Sequence, residues 1–299
     1  MSFGDRFSNR KVDFALILVA ALWGASYLSA KTLTENAPVL TVLSLRFIST
    51  SAAMSLIWLF KRDRFSKAEM LLGIGLGSTQ ALILYFETSG VALTSATNAG
   101  LIISLAIIFT PILESIASKN WLPRSFFVAT TVAVVGVALL VSDKGFAAPG
   151  KGDWLMLSAA LVRATHVTAM GHLTSGKRYS TVNITLLQSL TCGFIYSVFS
   201  IEGIRSAFNT FSRNLWLDLL FLSILCGAFA FLVTLWAIRK TSSSRASLLL
   251  GTEPVWAVVV GIYLGGESLA LIGFLGAILI IGASYFGQKI ETDHRTKIS

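Results

Sequence analysis

Apolar residues run along this chain in long unbroken stretches; they neither alternate with polar ones nor keep to one helical face. Phe14 to Leu22 is apolar at every position, and comparable stretches return throughout, separated by short polar breaks. A bilayer core of about 30 Å takes roughly 20 such residues at 1.5 Å rise each. The pattern predicts ten spanning helices, at 12–33, 38–60, 70–93, 97–117, 123–142, 153–173, 181–201, 215–237, 243–264 and 268–288. Barrel strands alternate apolar and polar residues over about ten positions, which excludes them here. The expected fold class is an all-α polytopic membrane protein. A basic start followed by an apolar stretch also opens a signal peptide, but this first run is long enough to cross, so it is read as a retained first span.

Of the 299 residues 54% are hydrophobic and 13% charged, a balance that a solvated globular surface does not sustain. The net charge of +9 at first suggests nucleic acid, so the placement of the basic residues decides. With the N-terminus in the cytoplasm, seventeen of the 24 Lys and Arg lie in or beside cytoplasmic segments, five lie opposite, and Arg46 and Arg163 fall within spans. That asymmetry follows the positive-inside rule. It predicts a protein of the cell inner membrane with both termini cytoplasmic and an even number of spans, a partner to the lipid bilayer and not to nucleic acid. Cys192 and Cys226 both fall within spans; they form no Cys-x-x-Cys metal or redox motif and are read as small packing residues.

An internal echo with a period near 140 to 147 residues divides the chain into five-helix units at 1–147 and 148–299. Ala20-Ala21-Leu22 returns as Ala159-Ala160-Leu161, and Asp13-Phe14 returns, one residue out of step, as Asp153-Trp154. Leu45-Arg46 matches Leu187-Gln188, and Thr94-Ser95-Ala96-Thr97 matches Thr241-Ser242-Ser243-Ser244. The fourth and ninth spans each carry one proline, Pro111 and Pro254, out of five in the chain. A unit with an odd number of crossings sends its second copy into the membrane from the other side, which predicts an inverted repeat of the kind that builds alternating-access transporters.

Five short motifs resemble the drug/metabolite transporter superfamily, in its ten-helix form built from two EamA repeats. They are Leu22-Trp23-Gly24, Leu45-Arg46-Phe47, Phe109-Thr110-Pro111, Glu253-Pro254-Val255 and Leu264-Gly265-Gly266-Glu267, the last with Gly266 as one residue more than the usual Leu-Gly-Glu. The similarity covers the chain from about Phe14 to Gly287. Where family members often carry an aromatic residue near 162 or 163, this chain has Val162-Arg163 and then His166. The resemblance implies export of small organic solutes, commonly amino acids or other metabolites. A weaker similarity is to the aromatic amino-acid exporter branch, the YddG-like proteins.

The candidate chemistry lies inside the spans. Glu253 sits near the middle of the ninth, where an unpaired carboxylate is costly. Arg163 is its expected partner, with Arg46 competing, and a purely structural ion pair is the alternative reading. His166 stands one turn from Arg163 and corresponds by the repeat to Tyr27, itself one turn after Trp23. It is read either as a substrate donor and proton-sensitive gate or as a packing histidine. Trp23 and Tyr27 are expected as an aromatic wall, with interfacial anchoring as the alternative. Gln80, Tyr85, Glu87, Asn98, Ser104, Ser244, Ser247 and Thr252 offer hydrogen-bonding groups, with Trp236 added as a cavity residue; inter-helix bonding is the plainer role for such groups. Pro111 and Pro254 are expected to let their helices bend. Gly73, Gly75 and Gly77 lack the spacing of a dinucleotide fingerprint and are read as helix packing, while the run from Gly145 to Lys151 lacks the Ser/Thr of a phosphate-binding loop. No catalytic constellation assembles. The expected protein is a secondary transporter, not an enzyme. It works as a monomer on a small-molecule substrate without cofactor, metal or obligate protein partner. Its cavity is lined by spans 1, 3, 4, 6, 8 and 9. A broader drug/metabolite exporter, and behind it an intramembrane lipid-modifying enzyme, are the rival readings.

Overall fold

A computed structural model describes residues 3–118, 121–141, 149–174, 176–240 and 249–298. All regular structure among them is helical. The helices are α1 (Phe3–Asn36), α2 (Val39–Lys61), α3 (Lys67–Leu93), α4 (Ala96–Ile103), α5 (Ala106–Ser118), α6 (Arg124–Val141), α7 (Lys151–Thr174), α8 (Thr181–Val198), α9 (Ile201–Thr210) and α10 (Arg213–Leu220). A π-helical segment, Phe221–Phe229, leads into α11 (Ala230–Lys240), followed by α12 (Glu253–Tyr263) and α13 (Leu271–Ile298). Six stretches are long and apolar enough to cross a bilayer: Lys11–Asn36, Val39–Lys61, Lys67–Leu93, Ala96–Leu113, Thr181–Val198 and Arg213–Ile238. The outward faces carry large apolar side chains such as Phe14, Phe60 and Phe194, as lipid contact requires.

Local chemistry sets the helix starts. Ser66 closes a capping box with Glu69, and the hydroxyls of Ser95, Ser180 and Ser212 accept from the first-turn amides of Asn98, Asn183 and Leu215. These caps occupy amides that would otherwise be orphaned where the chain turns back. Three features depart from the sequence expectation. The stretch expected as the fourth span is two helices separated at Ser104 and Leu105, that expected as the eighth contains the π-helical turn, and α9 is an additional short helix between the stretches expected as the seventh and eighth. α9 forms because Ile204, Ala207 and Phe211 recur at helical spacing and cover the main core.

The helices pack in pairs. α6 lies on α13, α2 on α8, and α4 on α12. α3 lies on α7 and α8, while α1 lies on α12 and on the α10-to-α11 stretch. Small residues allow the close approaches, as membrane helices require. A Cβ on Gly73 would come within 2.5 Å of the Leu187 Cβ, and one on Gly77 within 2.6 Å of the Thr191 Cβ and 3.0 Å of the Gln188 Cα. Gly75, between them, faces open space, so only two of the three glycines serve packing. Gly77→Ala should therefore destabilise by about 1–3 kcal/mol, because the clash includes backbone that cannot yield. Thermal unfolding of the detergent-solubilised protein reads this as a lowered midpoint, with Gly75→Ala unchanged.

One end of the bundle is tied shut across residues 1–147 and 148–299. Thr94 donates to the Asp153 carboxylate (3.0 Å), Ser29 donates to Asp218 (2.8 Å), and Thr41 and Ser200 share a hydrogen bond (2.8 Å). Glu267 accepts from the amides of Ala96 (2.7 Å) and Thr97 (2.9 Å) at the start of α4. Gly266 makes that reach possible. Its φ of 64° lies in the left-handed region, which glycine enters without steric cost, and it turns the chain so that Glu267 points back into the bundle.

Candidate functional site

The interrupted helices border a central cavity. Within the fourth span, Leu105 donates to the Ile102 carbonyl (3.1 Å) and Ile107 to the Ser104 carbonyl (2.9 Å), three-residue bonds that replace the α-helical ladder. In the ninth, the turn at Gly251 and Thr252 precedes α12, and Thr252 donates through its amide to Leu249 (3.2 Å). Pro254 has no N–H to extend a helix backwards and sits in the first turn, where its fixed φ is preorganised. The two interruptions lie 147 residues apart, at equivalent points of the internal repeat.

The cavity measures about 150 Å³, a volume of the order that admits a benzene-sized solute. Its most polar wall is an ion cluster from three helices. Arg163 of α7 donates through Nη2 to Glu87 of α3 at 2.6 Å, and through Nη1 to both oxygens of Glu253 at 3.4 Å. The hydroxyl of Tyr27 donates to the Glu253 Oε1. Two carboxylates thus share one guanidinium, with Tyr27 supplying a further donor to the more distant one. Charged groups are tolerated in a low-dielectric site only where they are partnered.

Trp23 stands over this cluster. The Arg163 Cζ lies 5.9 Å from its ring, within cation–π range. Its indole N–H donates to the Cys226 carbonyl of the π-helical segment (3.0 Å), and Phe231 packs against it at a centroid distance of 6.1 Å. The irregular turn therefore presents a backbone carbonyl that fixes an aromatic wall, a use in keeping with the frequent placement of π-turns at functional sites. His166 shares a 2.7 Å hydrogen bond between its Nδ1 and the Thr79 hydroxyl. From the cluster the lining continues past Ser104, Thr110, Met170, Ile238 and Leu250, away from the tied end and toward the end where α5, α7 and α11 terminate.

The EamA-like transporter family model matches residues 10–142 and again 150–286. The chain belongs to the EamA-like transporter family. Among curated relatives, an "Uncharacterized transporter" of Archaeoglobus fulgidus is 25% identical over 273 residues, covering 90% of this chain and 83% of that protein. A protein of Streptantibioticus cattleyicolor described as "Probable terminal-alkyne amino-acid exporter" is 23% identical over 289 residues, covering 93% and 94%. A solved crystal structure superposes with a TM-score of 0.69 at 17% identity, over 97% of this chain and 99% of its own, and shares the fold. The protein is thus a multi-pass membrane protein of a transporter family.

In this EamA-like transporter, Trp23, Tyr27, Gln80, Ser104, Arg163, His166, Glu253 and Pro254 all line the cavity, and so does Arg46. Other expected residues lie elsewhere. Tyr85 is 42% exposed and borders a separate groove beside α2 and α9, because Gln80, Leu84 and Glu87 define the cavity face of α3 and Tyr85 falls off it. Asn98 sits in the first turn of α4, two turns from the cavity, where its amide is capped by Ser95. Trp236 is 37% exposed on the face of α11 opposite Leu235 and Ile238. Pro111 lies inside α5, seven residues beyond the break, which centres on Ser104. Ser244 and Ser247 fall outside the described residues. Thr252 donates its hydroxyl to the Leu249 carbonyl (2.8 Å).

The structure also gives two named residues other roles and adds one that the sequence reading missed. Glu87, grouped there with neutral hydrogen-bonding residues, is the closest partner of Arg163. Arg46 competes for no carboxylate and faces the cavity itself, and α8 adds Gln188. The signal for the last two was present, since Leu45-Arg46 and Leu187-Gln188 are matching positions of the repeat. Among the described residues no group of three or more His, Cys, Asp or Glu converges as metal ligands do.

Proposed function

We propose that this protein exports small organic solutes, amino acids with aromatic or other neutral side chains foremost, across the cell inner membrane by alternating access. The chain crosses the bilayer ten times as two inverted five-helix repeats, 1–147 and 148–299, with both termini in the cytoplasm. The observation that carries the reading is a largely apolar cavity with one ionic wall, bordered by two interrupted helices at repeat-equivalent positions, the arrangement that midplane transport sites use.

Further observations support it. The packing pattern maps onto itself when the halves are exchanged: α6 on α13, α2 on α8 and α4 on α12 are self-matching pairs, and α3 on α7 corresponds to the α10-to-α11 stretch on α1. The family model matches each half once. The distribution of basic residues favours a cytoplasmic N-terminus, and with that orientation the cavity reaches toward the cytoplasm while the tied end faces outward, the loading state of an exporter. Trp23, Tyr27 and Phe231 suit an apolar or aromatic side chain, and the charged wall suits the polar end of an amino acid. One relative carries an amino-acid exporter description. The predominance of Ile83, Leu84, Ile103, Ile107, Val167 and Leu235 in the lining favours, as second reading, a broader range of apolar metabolites.

Counterflow in liposomes tests this. Vesicles preloaded with an unlabelled neutral amino acid should transiently concentrate the labelled form. Uptake confined to hydrophobic amines or other non-amino-acid solutes would favour the broader exporter, and no counterflow with either panel would end the proposal.

A further inference from the structure

Arg46 is the unexplained charge of the cavity. It projects from α2 into the lining, its residue is 6% exposed, and its Nε is buried without a hydrogen-bond partner. Both ion pairs found among the described residues belong to Arg163, which occupies Glu87 and Glu253 together. What surrounds Arg46 is neutral: the Phe47 ring centroid lies 5.9 Å from its Cζ, and Gln188 is the repeat-equivalent residue in the same lining. The hydroxyl of Thr50, one turn along α2, is committed to the carbonyls of Arg46 and Ser223.

A guanidinium nitrogen buried without a partner is costly. A charge kept in this position gains from an anion within reach during part of the working cycle, and among the described residues no ion pair to Arg46 is found. We infer that Arg46, assisted by the Gln188 amide, forms an anion subsite that receives the carboxylate of the transported solute. The planar fork of donors on a guanidinium matches a carboxylate in two-point fashion. Elsewhere in the lining Glu87 and Glu253 share the single guanidinium of Arg163, and their oxygens can accept from an ammonium group. A zwitterion would lie with its carboxylate on Arg46, its ammonium toward the two glutamates and its side chain against Trp23 and Phe231. This orientation rests on the amino-acid reading above; the anion subsite itself requires only a carboxylate.

Two measurements test it on the full-length protein in lipid nanodiscs and liposomes. The first is modification of Arg46 by phenylglyoxal, followed by mass spectrometry, in the presence of an amino acid, its 2-hydroxy acid analogue or its amide. The two carboxylates should slow the reaction by about tenfold, the size of one charge-assisted contact, and the amide should leave it unchanged. The second is counterflow with Arg46→Gln and Arg46→Lys, in which preference for the acid over the amide should vanish for the first and weaken for the second. Protection by the hydroxy acid but not by the amino acid would keep the subsite and overturn the amino-acid reading. Counterflow of amino acids with no protection of Arg46, or with an Arg46 that the reagent never reaches, would keep that reading and overturn the subsite. An acid preference unchanged in Arg46→Gln would overturn it as well.

Discussion

Arg163→Met should lose about 3–5 kcal/mol of stability, the cost of leaving a buried ion partner unpaired, and should yield little monodisperse protein from membranes. The substitution would strand two carboxylates, Glu87 at 2.6 Å and Glu253 at 3.4 Å from the guanidinium, with Tyr27 donating to only one of them. The side chain of Arg163 is 21% exposed, so water relieves little of this. Combining the change with Glu87→Gln and Glu253→Gln should recover most of the folded yield, because neutral residues of similar size remove the charges that needed partnering. Size-exclusion profiles and thermal midpoints in detergent measure both. A single variant as stable as the parent would show that the cluster does not hold the three helices together.

The second large effect concerns the tied end. A Cβ on Gly261 would lie 3.5 Å from the Thr97 Cβ, inside the separation that a disulfide spans, so Thr97→Cys with Gly261→Cys should cross-link α4 to α12. The Thr97 hydroxyl has no hydrogen-bond partner, so its loss leaves no group unpaired. The Glu267 carboxylate end, 2.9 Å from the new Cβ, has to shift. Cys192 and Cys226 are buried and free, and a background carrying alanine at both removes competing thiols. Oxidation should stop counterflow and reduction should restore it, since the proposed alternating access requires this end to part. Full flux with the bridge formed would mean that α4 and α12 need not separate.

The all-helical membrane fold was legible because a lipid-facing helix must be apolar along its length, a pattern that Phe14 to Leu22 displays without exception. The same uniformity hides rotation: where every face of α3 or α11 is apolar, nothing in the sequence tells Gln80 from Tyr85, or Leu235 from Trp236, as inward. The Arg163–Glu253 contact could be anticipated because both charges fall in the middle of stretches that the sequence predicts to span, where isolation is costly. Glu87 was less conspicuous, lying near the end of its helix. The break at Ser104 has neither glycine nor proline at the position, and Pro111 drew attention seven residues too late. The π-helical turn depends on what Cys226 bonds across the bundle, a tertiary effect.

Under the proposed function one cavity opens in turn to each side of the membrane. Gln80 lines that cavity, so Gln80→Cys on the background lacking Cys192 and Cys226 places a single reporter thiol within it. Membrane-impermeant thiol reagents applied separately to the two faces of oriented vesicles should each label this cysteine. With the Thr97–Gly261 bridge also installed and oxidised, labelling should persist from the cytoplasmic face alone. A thiol reached from only one face in the unbridged protein, or from neither, would contradict alternating access.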